Sequence, residues 1–502
     1  VDLQISEDKK FIIIEECTDE EYEQLKISLT KKIDGWRFHP LVKKKLWDGN
    51  VSYVKGNKIP SGLWKTVSDI CKEFSFEFKI KGLLDLFDQV ISEKEFTEWA
   101  MDLFKDHPEI KPRDYQIDAA YKILRYKRCL AELATSAGKT LISFLVISYL
   151  LEKLEKKKIL FIVPNVSLVL QATEDFDTYN HKERIKLKVQ QIYSGAKIKP
   201  SSNIVVGTYQ SLVKKEADYF AQFDVVMVDE THKAKSNSIK TIMDMCWHCD
   251  YRFGLSGTIP KEGTVDRLTL MSAMGPLITN VSANFLQEQG HISQCKVSII
   301  QMDYASDEQK AAFSFLSKRA EDRMKLFGLE QNFIIENKAR KDFIVKTISK
   351  TTQNSLVLFY RIEHGESLYK DLRQLDDKEV YYVDGGTDSQ IRESYKKKME
   401  KNNNVIIVAS YGTFSTGISI KNIHNIFFTE SFKSEVIIRQ SIGRGLRKHY
   451  SKQILNIIDF VDDMCWHDGD RMWKNYLYKH GEARIQIYED QKFPYKTLKV
   501  KF

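Results

Sequence analysis

The stretch FDVVMVDETH, residues 223–232, decides the fold. Val225 to Val228 form a short run that is apolar at every position, the pattern of a strand covered on both faces in a parallel sheet. Such strands deliver functional residues at their carboxyl ends, and Asp229, Glu230, Thr231 and His232 stand there. Upstream, ATSAGKT at residues 134–140 separates one apolar run from another, Leu141 to Leu151, that reads as a helix. A strand–loop–helix of this kind can wrap phosphate oxygens with the N–H groups of Thr135, Ser136, Ala137, Gly138, Lys139 and Thr140, helped by the field of the helix N-terminus. Lys139 then reaches the β- and γ-phosphates and Thr140 ligates Mg²⁺. The glycine that usually opens such a loop is missing, and Leu133 occupies its position.

Asp229 is expected to hold the same Mg²⁺ through water, and Glu230 to polarise the water that attacks ATP. The bland alternative, an acidic pair capping a helix, leaves the loop at 134–140 unexplained. Far downstream, QSIGRGLR at residues 440–447 brings Arg444 and Arg447 into close spacing with Gln440. Guanidinium groups neutralise charge that develops on a transferring γ-phosphoryl group. A surface basic cluster is the competing reading of these arginines.

Working outward, short apolar runs alternate with helical stretches from about residue 112. Ile159–Val163, Ile204–Val206 and Val225–Val228 form one set; Leu356–Phe359, Glu379–Val383, Val405–Val408, Ile426–Phe428 and Ile454–Phe460 form a second. The expected fold class is α/β: two tandem RecA-like parallel-sheet lobes with a small N-terminal α+β domain. The expected division is a basic accessory domain at 1–80, a connector at 81–111, lobe one at 112–345 and lobe two at 346–502, the last including the C-terminal tail. A strand is expected at 296–301 and a charged helical region at 307–350.

In residues 1–80, Phe11–Ile14 reads as a strand and 19–32 as a helix. Trp36–Phe38 and Val51–Val54 read as strands around the Asp48-Gly49 turn, and Phe74–Ile80 as a final strand. Residues 31–58 hold eight Lys or Arg against two Asp, interleaved with Trp36, Phe38, Trp47 and Tyr53. That mixture suits phosphate contact plus base stacking, with Lys43, Lys44 and Lys45 as its densest part. A solvated basic face over an aromatic core is the alternative.

Composition agrees with a globular chain of about three domains: 502 residues, 42% hydrophobic, formal net charge +8. No run is long and apolar enough for a membrane span, and no signal pattern opens the chain. The seven cysteines are scattered; Cys246 and Cys249 flank His248 but lack further ligands at zinc spacing, so core or incidental use is expected.

Beside the phosphate loop, Arg113-Asp-Tyr-Gln116 precedes an amphipathic helix, and here the chain resembles superfamily 2 helicases. The resemblance implies that Arg113 and Gln116 serve the nucleotide, with Gln116 reading adenine. It implies that Ser256-Gly-Thr258 couples hydrolysis to strand binding, and that the segment Val408 to Ile418, with Gly417, contacts nucleotide and strand. It also implies that Gln440 to Arg447 is the arginine-finger motif. Asn165, Thr208, Gln210, Ser256, Thr258, Ser410 and Thr413 are the candidates for gripping a sugar–phosphate backbone, some of them equally suited to capping their own helices.

Within that superfamily the chain more closely resembles the UvsW branched-DNA helicases of tailed phages. The likeness is carried by Thr135 to Lys139, Gly254 to Gly257, Ile406 to Ser419, Gly443 to His449, Tyr478 to Gln486, and the N-terminal segments Gly35 to Pro40 and Trp47 to Gly49. It implies ATP and Mg²⁺ as cofactors. It also implies unwinding or branch migration of forks, D-loops and four-way junctions in recombination, repair and replication. Single-stranded and branched DNA are the implied partners, with single-strand-binding or recombination proteins beside them; a monomer in the (host) cytoplasm is the expectation. An RNA helicase, the motor subunit of a restriction complex, and a non-catalytic binding protein are the competing functions.

Overall fold

Two seven-stranded sheets, each parallel throughout, carry the chain in the computed structural model, which describes all residues except 88–90, 157, 181–183, 194–201, 234–235, 305–322, 418–419, 469–470 and 502. The first has the order Leu277–Val281, Arg128–Leu133, Tyr251–Ser256, Val225–Asp229, Ile159–Val163, Ile204–Thr208, Val189–Ile192. The central strands are buried on both faces, as the unbroken apolar runs required. The helix Lys139–Glu152 is apolar on every side, and residues Leu141 to Leu150 are all buried. Helices Asp114–Arg125 and Val166–Tyr179 pack against it, which satisfies a helix with no polar face.

The second sheet has the order Glu379–Val383, Val405–Ser410, Ser355–Phe359, Asn425–Phe428, Ile454–Asp463, Gln294–Asp303, Tyr495–Lys501. Its edge strand carries Lys496, Lys499 and Lys501, charges that discourage edge-to-edge pairing with another chain. Two fully buried arginines anchor its helices. Arg340 pairs with Asp462 at 2.7 Å and donates to the Thr429 carbonyl; Arg484 pairs with Asp459 at 2.7 Å and donates to the carbonyls of Phe432 and Phe460. Glu330, also buried, accepts from the N–H groups of Tyr476 and Leu477 and so caps the helix Tyr476–Asp490.

The chain divides into compact units Val1–Val281 and Ser282–Phe502. The expected boundary at 345/346 is therefore too late. The strand foreseen at 296–301 is real, but it pairs with Ile454–Asp463 and belongs to the second sheet. Within the expected helical region, residues 305–322 lie outside the described set; Arg323–Glu336 and Lys338–Ser349 are helices of the second unit.

The N-terminal sheet has the order Lys58–Pro60, Phe11–Glu16, Asp2–Ile5, Lys79–Lys81. It shares the first unit with the large sheet: Leu268 joins its core, and the Tyr53 hydroxyl donates to the Val265 carbonyl at 2.9 Å. Lys9 pairs with Asp250 at 2.8 Å. Trp36–Phe38 is a 3₁₀ turn rather than the expected strand, because the chain must fold back between the ribbon strands Thr30–Lys32 and Asn50–Ser52. Strand structure in 74–80 begins only at Lys79. Cys246 and Cys249 are buried, the Cys249 thiol donates to the Phe223 carbonyl, and no metal-binding cluster exists among the described residues. No described helix is long and apolar enough to cross a membrane.

Candidate nucleotide and strand site

Leu133 is the last residue of a strand and is buried, so the position where a glycine usually stands is extended here and needs no special conformation. The turn is made later, by Ser136 at φ +76° and Gly138 at φ +80°. At Gly138 a side chain is disfavoured by the left-handed backbone, and a Cβ would stand 2.2 Å from the Gln116 amide nitrogen and push that amide aside. The amide is held there by several bonds. Gln116 accepts from the Arg113 N–H at 2.9 Å and donates to the Ala137 carbonyl at 3.0 Å, and the Tyr115 hydroxyl donates to the same carbonyl at 3.0 Å. Gln116 thus braces the loop at 134–140 through both ends of its amide. Tyr115 was absent from the expected set; its place in Arg113 to Gln116 is the signal that pointed to it.

Lys139 opens the 14-residue helix and Thr140 follows it. The Lys139 ammonium pairs with Glu230 at 2.9 Å, both side chains being 14% exposed. Glu230 sits at φ +51°, a left-handed conformation unusual for a side chain of this size, with its N–H donated to the Asp229 carboxylate at 2.9 Å. His232 Nδ1 lies 3.4 Å from Glu230 Oε2 and 2.6 Å from the Ser256 hydroxyl. Ser256 donates its one proton to the Thr258 carbonyl at 2.6 Å, so His232 Nδ1 must carry the proton between them. Lys139–Glu230 and His232–Ser256–Thr258 are thus two bonded groups that meet where Glu230 Oε2 and His232 Nδ1 stand 3.4 Å apart.

That arrangement corrects one expectation. Ser256 and Thr258 are buried, at 0% and 4% exposure, and the Ser256 hydroxyl is engaged by His232 and the Thr258 carbonyl, so neither side chain is exposed to grip a backbone directly. His232 joins them as a site residue missing from the expected set; the Asp229 to His232 box was the signal available. The other strand candidates are partly occupied by local bonds. Asn165 caps Val166–Tyr179 by accepting from the Leu168 N–H at 2.9 Å, Thr208 bonds Ser211 at 3.0 Å, and Gln210 donates to the Pro164 carbonyl at 3.2 Å. They nonetheless cluster at the carboxyl ends of neighbouring strands, Ile159–Val163 and Ile204–Thr208.

In the second unit, Ser410 donates to Thr413 at 2.8 Å across the start of the helix Tyr411–Gly417. Gln440, buried, and Arg444, half-buried, lie on the helix Glu435–Gly445, with Arg447 just past its end. Gly445 lets that helix lie close to the sheet, since a Cβ there would come within 2.7 Å of Ile426. Lys452, its ammonium pushed down to about 7 by burial, donates to the Gly445 carbonyl at 2.6 Å and ties off the helix end that presents the two arginines. Lys43, Lys44 and Lys45 lie exposed on and beside the short helix Pro40–Lys43, near exposed Phe38 and Leu46.

A phosphate loop braced from upstream, an acidic pair at the neighbouring strand end, and a second parallel sheet bearing a paired-arginine helix define a two-lobed RecA-like helicase. Residues 109–261 match the family described as Type III restriction enzyme, res subunit, and residues 339–449 match the Helicase conserved C-terminal domain. The chain is 34% identical over 496 residues to the ATP-dependent DNA helicase uvsW of Enterobacteria phage T4, covering 96% of both proteins. The crystal structure of T4 UvsW matches over 100% of both chains with 31% identity and a TM-score of 0.50. The DNA-bound restriction-modification enzyme LlaBIII shares the fold alone, with 16% identity, a TM-score of 0.55, and 78% of this chain against 32% of that one. The chain belongs to the UvsW family of ATP-dependent helicases.

Proposed function

We propose that this chain uses ATP hydrolysis to unwind or migrate branched DNA: forks, D-loops and four-way junctions. The observation that carries the reading is the row of close contacts from Lys139 past Glu230 and His232 to Ser256 and Thr258. It joins the residue suited to hold the β- and γ-phosphates to the segment that couples hydrolysis to strand binding in the helicases it resembles. Lys139 exchanges Glu230 for phosphate oxygens when the triphosphate enters. Glu230, released, accepts a proton from the attacking water. Gln116 keeps its remaining amide groups for adenine.

Thr140 and Asp229 offer two hard oxygen donors beside the phosphate loop, a sparse set that fits Mg²⁺, which retains several waters. Mg²⁺ bound with the triphosphate would neutralise phosphate charge there. Arg444 and Arg447 add guanidinium charge as the γ-phosphoryl group leaves. Backbone contact falls to Asn165, Thr208 and Gln210 on the first unit and to Ser410 and Thr413 on the second.

The N-terminal ribbon supplies the preference for branches. Lys43, Lys44 and Lys45 are exposed and form no ion pair among the described residues, and the eight Lys or Arg against two Asp of residues 31–58 suit a polyanion. The test compares ATP hydrolysis stimulated by single-stranded DNA, forked DNA and RNA of matched length. Greatest stimulation by forked DNA is expected; equal or greater stimulation by RNA sinks the reading in favour of an RNA helicase.

A further inference from the structure

A column of aromatic rings runs from the core of the second sheet to the surface at the carboxyl ends of its strands. Phe428, fully buried, stacks on Tyr411 with centroids 6.0 Å apart and planes at 12°. Tyr411 stacks on Phe432 at 4.9 Å and 15°, and Phe432 meets Tyr360 at 5.5 Å and 41°. Tyr360 is the outermost ring, and it is 54% exposed. We propose that Tyr360 stacks against a base of a single DNA strand, continuing the column by one ring.

The mounting is what separates Tyr360 from an ordinary surface tyrosine. Phe359, the preceding residue, points into the core, so strand alternation turns Tyr360 away from it. The buried Glu430 carboxylate accepts from the N–H groups of both Tyr360 and Arg361, at 3.1 and 3.2 Å. The main chain of Glu430 in turn accepts from the Tyr411 hydroxyl at 3.2 Å, and the Phe432 carbonyl accepts from Arg484 at 3.0 Å. Each ring in the column is thus tied to a neighbour, and the outer face of Tyr360 is held in place before any ligand arrives.

Charge and position select a nucleic-acid strand as the occupant. Arg361 and exposed Lys433 flank the two outer rings in sequence; the Glu430 carboxylate is buried and engaged by the Tyr360 and Arg361 N–H groups, and exposed Glu363, two residues on, offsets part of the positive charge. Tyr360 directly follows the strand Ser355–Phe359, which pairs with Val405–Ser410, so the ring shares a rim with Ser410 and Thr413. Hydroxyls suited to a phosphate backbone beside an aromatic face suited to a base are the two halves of single-strand recognition. Stacking tolerates any base, as a motor that moves along a sequence requires.

The inference rests on the DNA-helicase reading, and its test separates the two. Affinity is measured by fluorescence anisotropy for a mixed-sequence single strand and for a strand of the same length made of abasic residues, both with a non-hydrolysable ATP analogue present. Tyr360→Ala is expected to weaken the base-bearing strand about tenfold and the abasic strand by less than about twofold. Tyr360→Phe and Tyr360→Trp are expected to retain affinity, and thermal unfolding of all three variants should match the parent. Unchanged binding by Tyr360→Ala, or equal losses for the two strands, overturns the stacking role alone. Failure of the parent protein to bind either strand overturns the helicase reading and this inference together.

Discussion

Replacing Glu230 by Gln should slow ATP turnover while leaving nucleotide binding as tight as before, or tighter. The Lys139–Glu230 pair is 2.9 Å long and 14% exposed at each end, so it is neither fully screened nor fully desolvated. Its gross Coulomb attraction at an effective dielectric near 20 is on the order of 6 kcal/mol. Desolvation of both ends cancels most of that, leaving a net value of about 1 kcal/mol. Incoming phosphates must break the pair before Lys139 can serve them. The neutral amide lowers that cost, and about 1 kcal/mol corresponds to about fivefold tighter nucleotide. Turnover moves the other way, falling about 10²- to 10⁴-fold, because an amide cannot take the water's proton. Binding is read with a fluorescent ATP analogue and turnover by phosphate release at saturating single-stranded DNA. Lys139→Ala is the control, expected to lose both binding and at least about nine-tenths of turnover, since the phosphate charge is left uncompensated. The reasoning fails if Glu230→Gln weakens nucleotide about tenfold in parallel with turnover, or if it keeps more than about a tenth of the parent rate.

Arg447→Ala should cut turnover about 10³-fold with nucleotide affinity changed less than about threefold, and Arg447→Lys should not restore it, because a point charge cannot replace a planar fork; a double Arg444→Ala, Arg447→Ala variant with more than about a tenth of parent turnover would remove both from the phosphate site. Reversing Lys43, Lys44 and Lys45 to Glu should weaken fork binding and flatten its log–log salt dependence by about 2.7, three phosphate contacts at about 0.9 each; titrations at several salt concentrations that give parallel lines would refute the contacts. Glu330 is raised to about 7 by burial, against the Tyr476 and Leu477 N–H groups that favour its charge. Its unfolded form ionises from about pH 4.5 upward while the folded form keeps its proton to about 7, so a penalty on the order of 3 kcal/mol grows across that window and is complete above it. Glu330→Gln should therefore gain stability relative to the parent as pH rises from about 4.5 to 7, by melting temperature at several pH values; a constant difference between the two would show that Glu330 does not carry the penalty.

The local structure of the expected nucleotide site was legible because chemistry restricts it. A phosphate loop must join a strand to a helix, and an acidic pair must end a buried strand, so local pattern sufficed to place strand, turn and helix around residues 134–140 and the strand end at 225–229. What escaped the sequence depends on distant partners. The strand Gln294–Asp303 reads the same in either lobe, and only its register against Ile454–Asp463 assigns it to the second sheet. Aromatic Trp36 and Phe38 favoured a strand by propensity, whereas the tight return between two ribbon strands imposed a 3₁₀ turn. Ser256 is buried as the end of the covered inner strand Tyr251–Ser256, and the partner of its hydroxyl, His232, lies twenty-four residues away. Nothing local marks Arg340 or Arg484 for burial, because the partners that hold them in the core, Asp462 and Asp459, are distant in sequence or on another element.

The N-terminal sheet leans on the helix Val265–Met274 through Leu268, Met271 and the Tyr53 hydroxyl, and on Asp250 through Lys9. It is consequently a poor candidate for cutting and grafting. Removing residues 1–80 would strip Leu268 of its apolar cover and leave Arg128 without the Lys9 carbonyl it donates to, so a shortened chain would present a sticky scar where a seam had been. Moved onto another motor, the small domain would need a matching helix to rest on. The two pieces can be expected to vary as a matched set, with a change at Leu268 or Met271 answered on the facing side, and chimaeras should be cut after Val281 rather than after residue 80.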